Sequence, residues 1–179
     1  MAPRTALLAN VLGYQGVWFA CVGGAAAGRP ELGILAAACF TLATLALAGR
    51  WRADLRTVAI ALPLGFAMDS AFAAAGWLAY AAPGPWPFAA PAWIAAIWLA
   101  FAMTLNHSLV FLRGHPIAAA LLGFAGAPLA YWSASRAFGV LGFAEPTVAV
   151  LLGVGIAWAM LLPALFRLDL PRLRRGARA

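Results

Sequence analysis

Residues 91–112 have the sequence PAWIAAIWLAFAMTLNHSLVFL, and this stretch decides the fold. Its apolar length is that of a helix that crosses a lipid bilayer, which needs about 20 apolar residues. Its second half nevertheless carries four polar residues, Thr104, Asn106, His107 and Ser108. Because polar groups are costly inside a bilayer, each of them needs a partner or a function.

Apolar runs of comparable length lie on both sides of this stretch. The chain of 179 residues is 65% hydrophobic and only 9% charged, whereas a soluble domain carries about 25% charged residues. The sequence therefore predicts an all-α integral membrane bundle of six transmembrane helices in one transmembrane domain over residues 1–179. The predicted spans are residues 6–26, 31–48, 57–82, 91–112, 116–135 and 146–166, followed by a basic tail over residues 167–179.

The basic residues, all of them arginine, are placed as a topology signal. If both termini are cytoplasmic, ten arginines lie inside and only Arg29 and Arg136 lie outside, as the positive-inside rule requires. An aromatic belt is then expected at the outer interface, formed by Trp77, Tyr80, Trp86, Trp93, Tyr131 and Trp132. We therefore expect a multi-pass membrane protein with both termini in the cytoplasm, with membrane lipids as partners and no nucleic acid.

The first span has a competing interpretation. Arg4, the apolar run after it and the small residues at positions 25–27 are typical of a cleavable signal peptide. Asn10, Tyr14 and Gln15 interrupt the apolar region, and cleavage would remove the even number of spans that places the basic tail inside. The pattern favours an uncleaved first helix.

Polar residues from three spans are expected to converge on one pocket in the cytoplasmic half. Asp69 lies near the centre of the third predicted span, where a carboxylate costs about 2.5–3.5 kcal/mol. In the fourth span the spacing places Thr104, His107 and Ser108 on one helix face. The candidate catalytic residues are Asp69, His107 and Ser108; the candidate substrate-binding residues are Asn10, Tyr14, Gln15, Thr104 and Asn106. The alternative is that these groups only join helices, through hydrogen bonds worth about 0.6 kcal/mol each.

The sequence predicts no cofactor and no metal site. Two cysteines and two histidines occur without ligand spacing, and the chain has no phosphate loop, dinucleotide fingerprint or His-Glu-x-x-His. No serine has the glycine-flanked setting of a hydrolase nucleophile. Whether the protein is an enzyme therefore stays open.

Two stretches, residues 91–112 and GAPLAYWSASRAFGVLGF at 126–143, resemble the DUF2878 family of uncharacterised bacterial polytopic membrane proteins. The resemblance extends to GFAMDS at 65–70 and NVLGYQGVW at 10–18. Residue by residue, the match within these stretches is to Asn10, Gln15, Asp69, His107 and Ser108. The resemblance implies a multi-pass bundle of the bacterial inner membrane. Members of the family often lie near genes that modify membrane fatty acyl chains, so the resemblance also favours lipid chemistry.

Three functional hypotheses remain. The leading one is a membrane-embedded factor that binds membrane lipid or helps to modify its fatty acyl groups, with Asp69 and His107 handling protons. The second is a small proton-coupled transporter that uses Asp69 as the carrier. The third is a structural partner of a membrane enzyme, or a self-associating protein, in which the polar residues hold helices together.

Overall fold

The computed structural model describes residues 3–86 and 88–168, and within them the chain folds into six α-helices and two short strands. The elements in chain order are α1 (Pro3–Ala26), α2 (Glu31–Ala48), α3 (Trp51–Ala74), β1 (Leu78–Tyr80), α4 (Ala92–Leu105), α5 (Pro116–Phe138), β2 (Leu141–Phe143) and α6 (Thr147–Leu168). A single 3₁₀ turn, Val110–Leu112, lies between α4 and α5. The predicted basic tail lies outside the described residues from position 169 onward.

The centre of the bundle is α4, the most apolar and the shortest of the helices. Ten of its 14 residues are buried, and α1, α2 and α3 all pack against it. The pair α5 and α6 completes the bundle, with Gly123 in contact with the backbone of Trp158. Helix α4 is therefore enclosed by the other helices over most of its length.

Five helices, all except α4, are long and apolar enough to cross a membrane. Their outward faces are apolar as well, with residues such as Leu12, Leu47 and Ile117 largely exposed. A soluble protein of this size would hide most of these side chains from water, so the exposed surface is that of a protein surrounded by lipid. The prediction of an all-helical membrane bundle is confirmed at this level.

The third predicted span, 57–82, is wrong at both ends. Helix α3 begins at Trp51, immediately after Gly49 closes α2 in a left-handed conformation, so the helix includes the charged residues of positions 52–56. It ends at Ala74 because Gly76 turns the chain with φ 71°. The following residues, Leu78–Tyr80, then pair as β1 with β2 in an antiparallel two-stranded sheet that the sequence did not predict.

The fourth predicted span, 91–112, is helical only to Leu105. The carbonyl oxygen of Thr104 accepts hydrogen bonds from the backbone N–H groups of both His107 and Leu109, which closes the last turn of α4. Residues 106–108 therefore lie in a turn, and the prediction that Thr104, His107 and Ser108 share one helix face is wrong. Short polar side chains compete with helical hydrogen bonding, and burial inside protein allows non-helical backbone at membrane depth.

The two ends of the bundle have different chemistry. The end of α3, the start of α4 and the two strands form one end, which we call the aromatic end; Trp93 there donates its indole N–H to the carbonyl oxygen of Ala81. The start of α3, the end of α4 and the start of α5 form the opposite end, which we call the basic end. Four of the arginines lie at or beside these elements: Arg50, Arg52, Arg56 and Arg113.

Candidate functional site

A polar cluster lies at the basic end, where the turn after α4 meets the first turns of α3. Its centre is Asp54, whose side chain is fully buried. Asp54 and Thr57 lie three residues apart in α3, so both side chains face the turn that follows α4. The amide nitrogen of Asn106 donates to Asp54 Oδ1 at 3.0 Å and to Thr57 Oγ1 at 2.8 Å. Asn106 therefore joins the turn after α4 to helix α3.

His107 is the second partner of the buried acid. Its Nε2 lies 3.1 Å from Asp54 Oδ1 and 3.2 Å from Oδ2. With Asp54 as the acceptor, Nε2 carries the imidazole proton and Nδ1 is the basic nitrogen. Nδ1 forms no hydrogen bond within the described residues, and the His107 side chain is 16% exposed. The geometry is that of a histidine oriented by a carboxylate with its other nitrogen open.

Arg113 extends the polar cluster towards the surface. Its Nη2 donates to Asn106 Oδ1 at 2.6 Å, so Asn106 joins a cation to the buried acid. Thr57 uses its own hydroxyl proton for the carbonyl oxygen of Ala53 and accepts from Asn106. The amide of Asn106 is thereby fixed in one orientation by three partners, and Asp54 is held by two donors from the turn.

Asn10 of α1 fixes the same turn from the other side. Its Oδ1 accepts from the backbone N–H of Ser108 at 3.2 Å and from the Ser108 hydroxyl at 2.6 Å, while its Nδ2 approaches the carbonyl oxygen of Met103 at 3.4 Å. These bonds satisfy backbone groups that the end of α4 leaves without helical partners. Because the Ser108 hydroxyl proton is used for Asn10, Ser108 is a positioning residue of the turn in this geometry.

An aromatic cluster surrounds Asp69 near the other end of α3. The Asp69 side chain accepts from the Tyr80 hydroxyl at 2.6 Å, from the Trp98 indole at 2.6 Å and from the Tyr131 hydroxyl at 2.5 Å. These donors come from β1, α4 and α5, so one carboxyl group joins four elements. Trp98 is stacked on Trp158 of α6 with ring centroids 4.7 Å apart.

The structure divides the residues that were expected to line one pocket. Asp54 and Asp69 are fifteen residues apart on α3, which places them about 22 Å apart along the helix axis. His107 bonds Asp54, so the expectation that Asp69 and His107 lie together is wrong. The error arises because the predicted third span was displaced, which put Asp69 at mid-membrane instead of near the aromatic end.

The remaining predicted residues also have different surroundings. Thr104 is buried and donates to the carbonyl oxygen of Phe101, one turn earlier in its own helix. Tyr14 is half-buried with its ring 5.9 Å from that of Phe101. Gln15 is exposed on the outer face of α1 and does not join either cluster. A binding role for Gln15 would therefore involve the lipid-facing surface.

Asp54 was the functional candidate that sequence reasoning missed. It lies among Arg50, Arg52 and Arg56, and such a run is typical of a cytoplasmic loop. The available signal was its spacing to Thr57, because an acid and a hydroxyl three residues apart share a helix face immediately before an apolar span. Extending the third helix to Trp51 would have brought this pair into the bundle.

The expected aromatic belt is only partly present. Trp77, Trp86 and Trp132 are exposed, as residues of an interface should be. Tyr80, Trp93 and Tyr131 instead use their polar atoms inside the bundle. The sequence does not distinguish these two groups, because both consist of aromatic residues near span ends.

Within residues 3–86 and 88–168, no group of three or more histidine, cysteine or acidic side chains is arranged to hold a metal ion. The chemistry that the polar cluster itself can perform is proton transfer at His107 Nδ1, oriented by Asp54. The aromatic cluster presents three donors to one carboxyl group and leaves that group enclosed.

A family model described as "Protein of unknown function (DUF2878)" matches residues 7–164. The match includes every residue of both clusters. No curated protein and no solved structure matches the chain.

Proposed function

The chain belongs to the DUF2878 family, and from the geometry of its polar cluster we propose that it binds a lipid of the surrounding membrane at its basic end. In this proposal the Asp54–His107 pair transfers a proton to or from the bound lipid. The reaction class is general acid–base chemistry at a lipid headgroup or acyl carbonyl group. Membership of the DUF2878 family and the helical membrane bundle are compatible with this function. The support for the proposal comes from the polar cluster around Asp54.

The main support for the proposal is the hydrogen bonding of the two imidazole nitrogens of His107. One imidazole nitrogen is bound to a fully buried carboxylate, and the other has no hydrogen-bond partner within the described residues. A histidine that only joined two helices would be expected to use both nitrogens or to be enclosed. The oriented imidazole with an open nitrogen is the arrangement of a general base.

Each neighbour of the pair has a role in this mechanism. Asp54 holds the Nε2–H tautomer and stabilises the imidazolium that forms when Nδ1 takes a proton. Asn106 fixes Asp54 and is itself fixed by Arg113. Asn10 and Ser108 hold the turn in which His107 lies. The arginines of the basic end attract anionic headgroups, at about 1 kcal/mol per arginine.

The orientation in the membrane is part of the proposal. Five of the described helices are long enough to cross the membrane, and residues 92–112 would add a further crossing, fourth in chain order. Helix α4 would provide most of the length of this crossing, and the turn and the 3₁₀ segment would provide the rest. Six crossings put both termini on one side, and the arginine distribution favours the cytoplasmic side of the inner membrane. The polar cluster would then face the cytoplasmic leaflet.

A structural role as a partner of a membrane enzyme is the second candidate. The observation in its favour is that Asp69 and Asn10 are both buried and that each accepts hydrogen bonds from distant segments of the chain. Proton-coupled transport through Asp69 stays a prediction, and proton flux into liposomes that contain the protein tests it, with Asp69→Asn as the variant.

The proposed function is tested by comparing the membrane lipids of cells with the gene intact, deleted, or replaced by single variants. We expect the deletion and His107→Gln to share one specific change in headgroup or acyl composition. His115→Gln is the matched control, because His115 is the other histidine and is exposed, and because within the described residues its side chain bonds only the carbonyl oxygen of Phe111 in the neighbouring turn. It should preserve the wild-type lipid profile.

Two outcomes would overturn the proposal. Unchanged lipids in the deletion strain would exclude lipid chemistry under those growth conditions. A lipid change in the deletion that His107→Gln fully complements, at equal amounts of folded protein, would show that the protein acts on lipids without its histidine and would favour the structural partner.

A further inference from the structure

A groove between α5 and α6 opens on the outside of the bundle. It has a volume of about 690 Å³. Its wall is formed mainly by apolar side chains, among them Ile117, Leu121, Phe124, Met160 and Pro163. It lies apart from both clusters, because no residue of either cluster lines it.

The groove has one charged end. Arg167 lies in the last turn of α6 and lines the groove together with Pro116, the first residue of α5. Since α5 and α6 are antiparallel neighbours, these two residues mark the basic end of the bundle. The guanidinium group of Arg167 is exposed at this mouth. Arginine binds phosphate oxygens with two parallel N–H donors.

The depth of the groove matches one leaflet. From Pro116 to Phe124 along α5, and from Leu168 back to Met160 along α6, the groove extends over eight residues, or about 12 Å. The hydrocarbon of one leaflet is about 15 Å deep, half of the full core. An acyl chain whose phosphate lies at the level of Arg167 would therefore follow the groove to its inner end.

We propose that the α5–α6 groove is a binding site for an anionic phospholipid of the leaflet at the basic end, with the acyl chain in the groove and the phosphate on Arg167. The inference rests on the proposed function for its ligand class, and it specifies where a lipid is held in relation to the Asp54–His107 pair: at the same end of the bundle, on a different face. Small residues on the groove floor, Ala120 and Ala164, leave room for the chain.

The test is native mass spectrometry of the full-length protein released from vesicles of equal parts phosphatidylglycerol and phosphatidylcholine. The wild-type protein should retain phosphatidylglycerol preferentially. Arg167→Gln should reduce that preference about five-fold, the effect of one arginine on an anionic headgroup. Arg136→Gln is the matched control, because Arg136 is also exposed in the last turn of a helix, α5, but at the aromatic end.

A second pair of variants tests the groove itself. Ala120→Trp fills the groove and should lower the retention of either lipid to the amount bound elsewhere on the protein, whereas Ala149→Trp, on an exposed position of α6 outside the groove, should leave the retention of both lipids at the wild-type level. Wild-type retention by Ala120→Trp, or an unchanged preference in Arg167→Gln, would overturn the proposal. So would a dimer that Ala120→Trp dissociates, since a second copy would then be the occupant. Lipid retention that appears only after removal of residues 169–179 would identify the tail as the occupant and also overturn it.

His107→Gln separates this inference from the proposed function. It should bind phosphatidylglycerol as the wild-type protein does, while it loses the effect on cellular lipids. If the groove variants all retain lipid normally but His107→Gln still alters cellular lipids, only the groove assignment is wrong. If the groove binds lipid as expected and the deletion leaves cellular lipids unchanged, the proposed chemistry is wrong and the binding site stands.

Discussion

Helix α3 carries one buried acid near each end, and the two acids are held in opposite ways. Asp69 accepts from three aromatic donors that belong to three other elements, and its side chain is enclosed. Asp54 is equally buried, but one of its two donors is a histidine that is partly exposed and has an open nitrogen. The hydrogen bonds around Asp69 do not reach a surface group within the described residues, whereas those of Asp54 connect it to the partly exposed side chain of His107.

This difference explains why burial of a carboxylate is a weak guide to function inside a membrane bundle. An intramembrane acid is a functional candidate by default, and by that rule Asp69 ranked first in the sequence. Its partners show that it can serve as the common acceptor that joins β1, α4 and α5 to α3. The acid that faces a titratable and accessible group is Asp54, and it lies in a segment rich in arginine.

The largest expected loss of stability follows removal of the common acceptor. Asp69→Leu leaves the hydroxyl groups of Tyr80 and Tyr131 and the indole of Trp98 without their acceptor, so the free energy of unfolding should fall by roughly 3–5 kcal/mol. Unfolding in mixed detergent micelles measures this loss of free energy.

The milder variant Asp69→Asn keeps one oxygen for the two tyrosines but turns an amide N–H₂ towards the indole N–H of Trp98. The free energy of unfolding should therefore fall by roughly 1–3 kcal/mol. If Asp69→Leu were as stable as the wild type, Asp69 would not be the structural acceptor that distinguishes it from Asp54.

The next largest effect is expected beneath Trp98. A Cβ atom on Gly65 would lie 2.0 Å from Cδ2 of the Trp98 ring, so Gly65→Ala must displace the indole that bonds Asp69. We expect a loss of about 1–3 kcal/mol, the usual cost of overpacking. Gly16→Ala is the matched control within a helix, because no described atom outside the adjoining turns of α1 lies within 4 Å of its Cβ position. If both variants have the same thermal midpoint, the close fit of Trp98 on α3 is not a source of stability.

A smaller effect is expected at the basic end. Asn10→Ala removes the acceptor of the Ser108 N–H and hydroxyl groups, and it should lower the free energy of unfolding by roughly 1 kcal/mol. The neighbouring Gln15→Ala, on an exposed position, should stay within about 0.5 kcal/mol of the wild type. Similar losses in both would mean that the turn after α4 is not held by Asn10.

The helices themselves could be predicted from the sequence because apolar length and proline positions are local signals. Pro30 and Pro91 precede α2 and α4, and Pro116 is the first residue of α5, as expected of residues at helix starts. The number of crossings was predicted from the apolar runs and the orientation from the arginines, and both stay predictions.

The site could be predicted only in part because its geometry depends on contacts between distant segments. The end of α4 at Leu105 depends on Asn10, which lies 98 residues before Ser108 in the chain. The partner of His107 lies 53 residues away, in a part of α3 that local hydropathy assigned to a loop. Sequence reasoning identified His107, Asn106 and Asn10 as buried polar residues. It did not identify that His107 and Asn106 bond Asp54, or that Asn10 bonds Ser108.

The most direct test compares the same substitution at the two ends of one helix. Asp54→Asn and Asp69→Asn are expressed in the deletion strain, adjusted to equal amounts of folded protein, and compared for restoration of the wild-type membrane lipid profile. The account predicts that Asp69→Asn restores the profile and Asp54→Asn does not, because only Asp54 orients the histidine that transfers the proton. Restoration by Asp54→Asn together with failure of folded Asp69→Asn would contradict the account and place the function at the aromatic end.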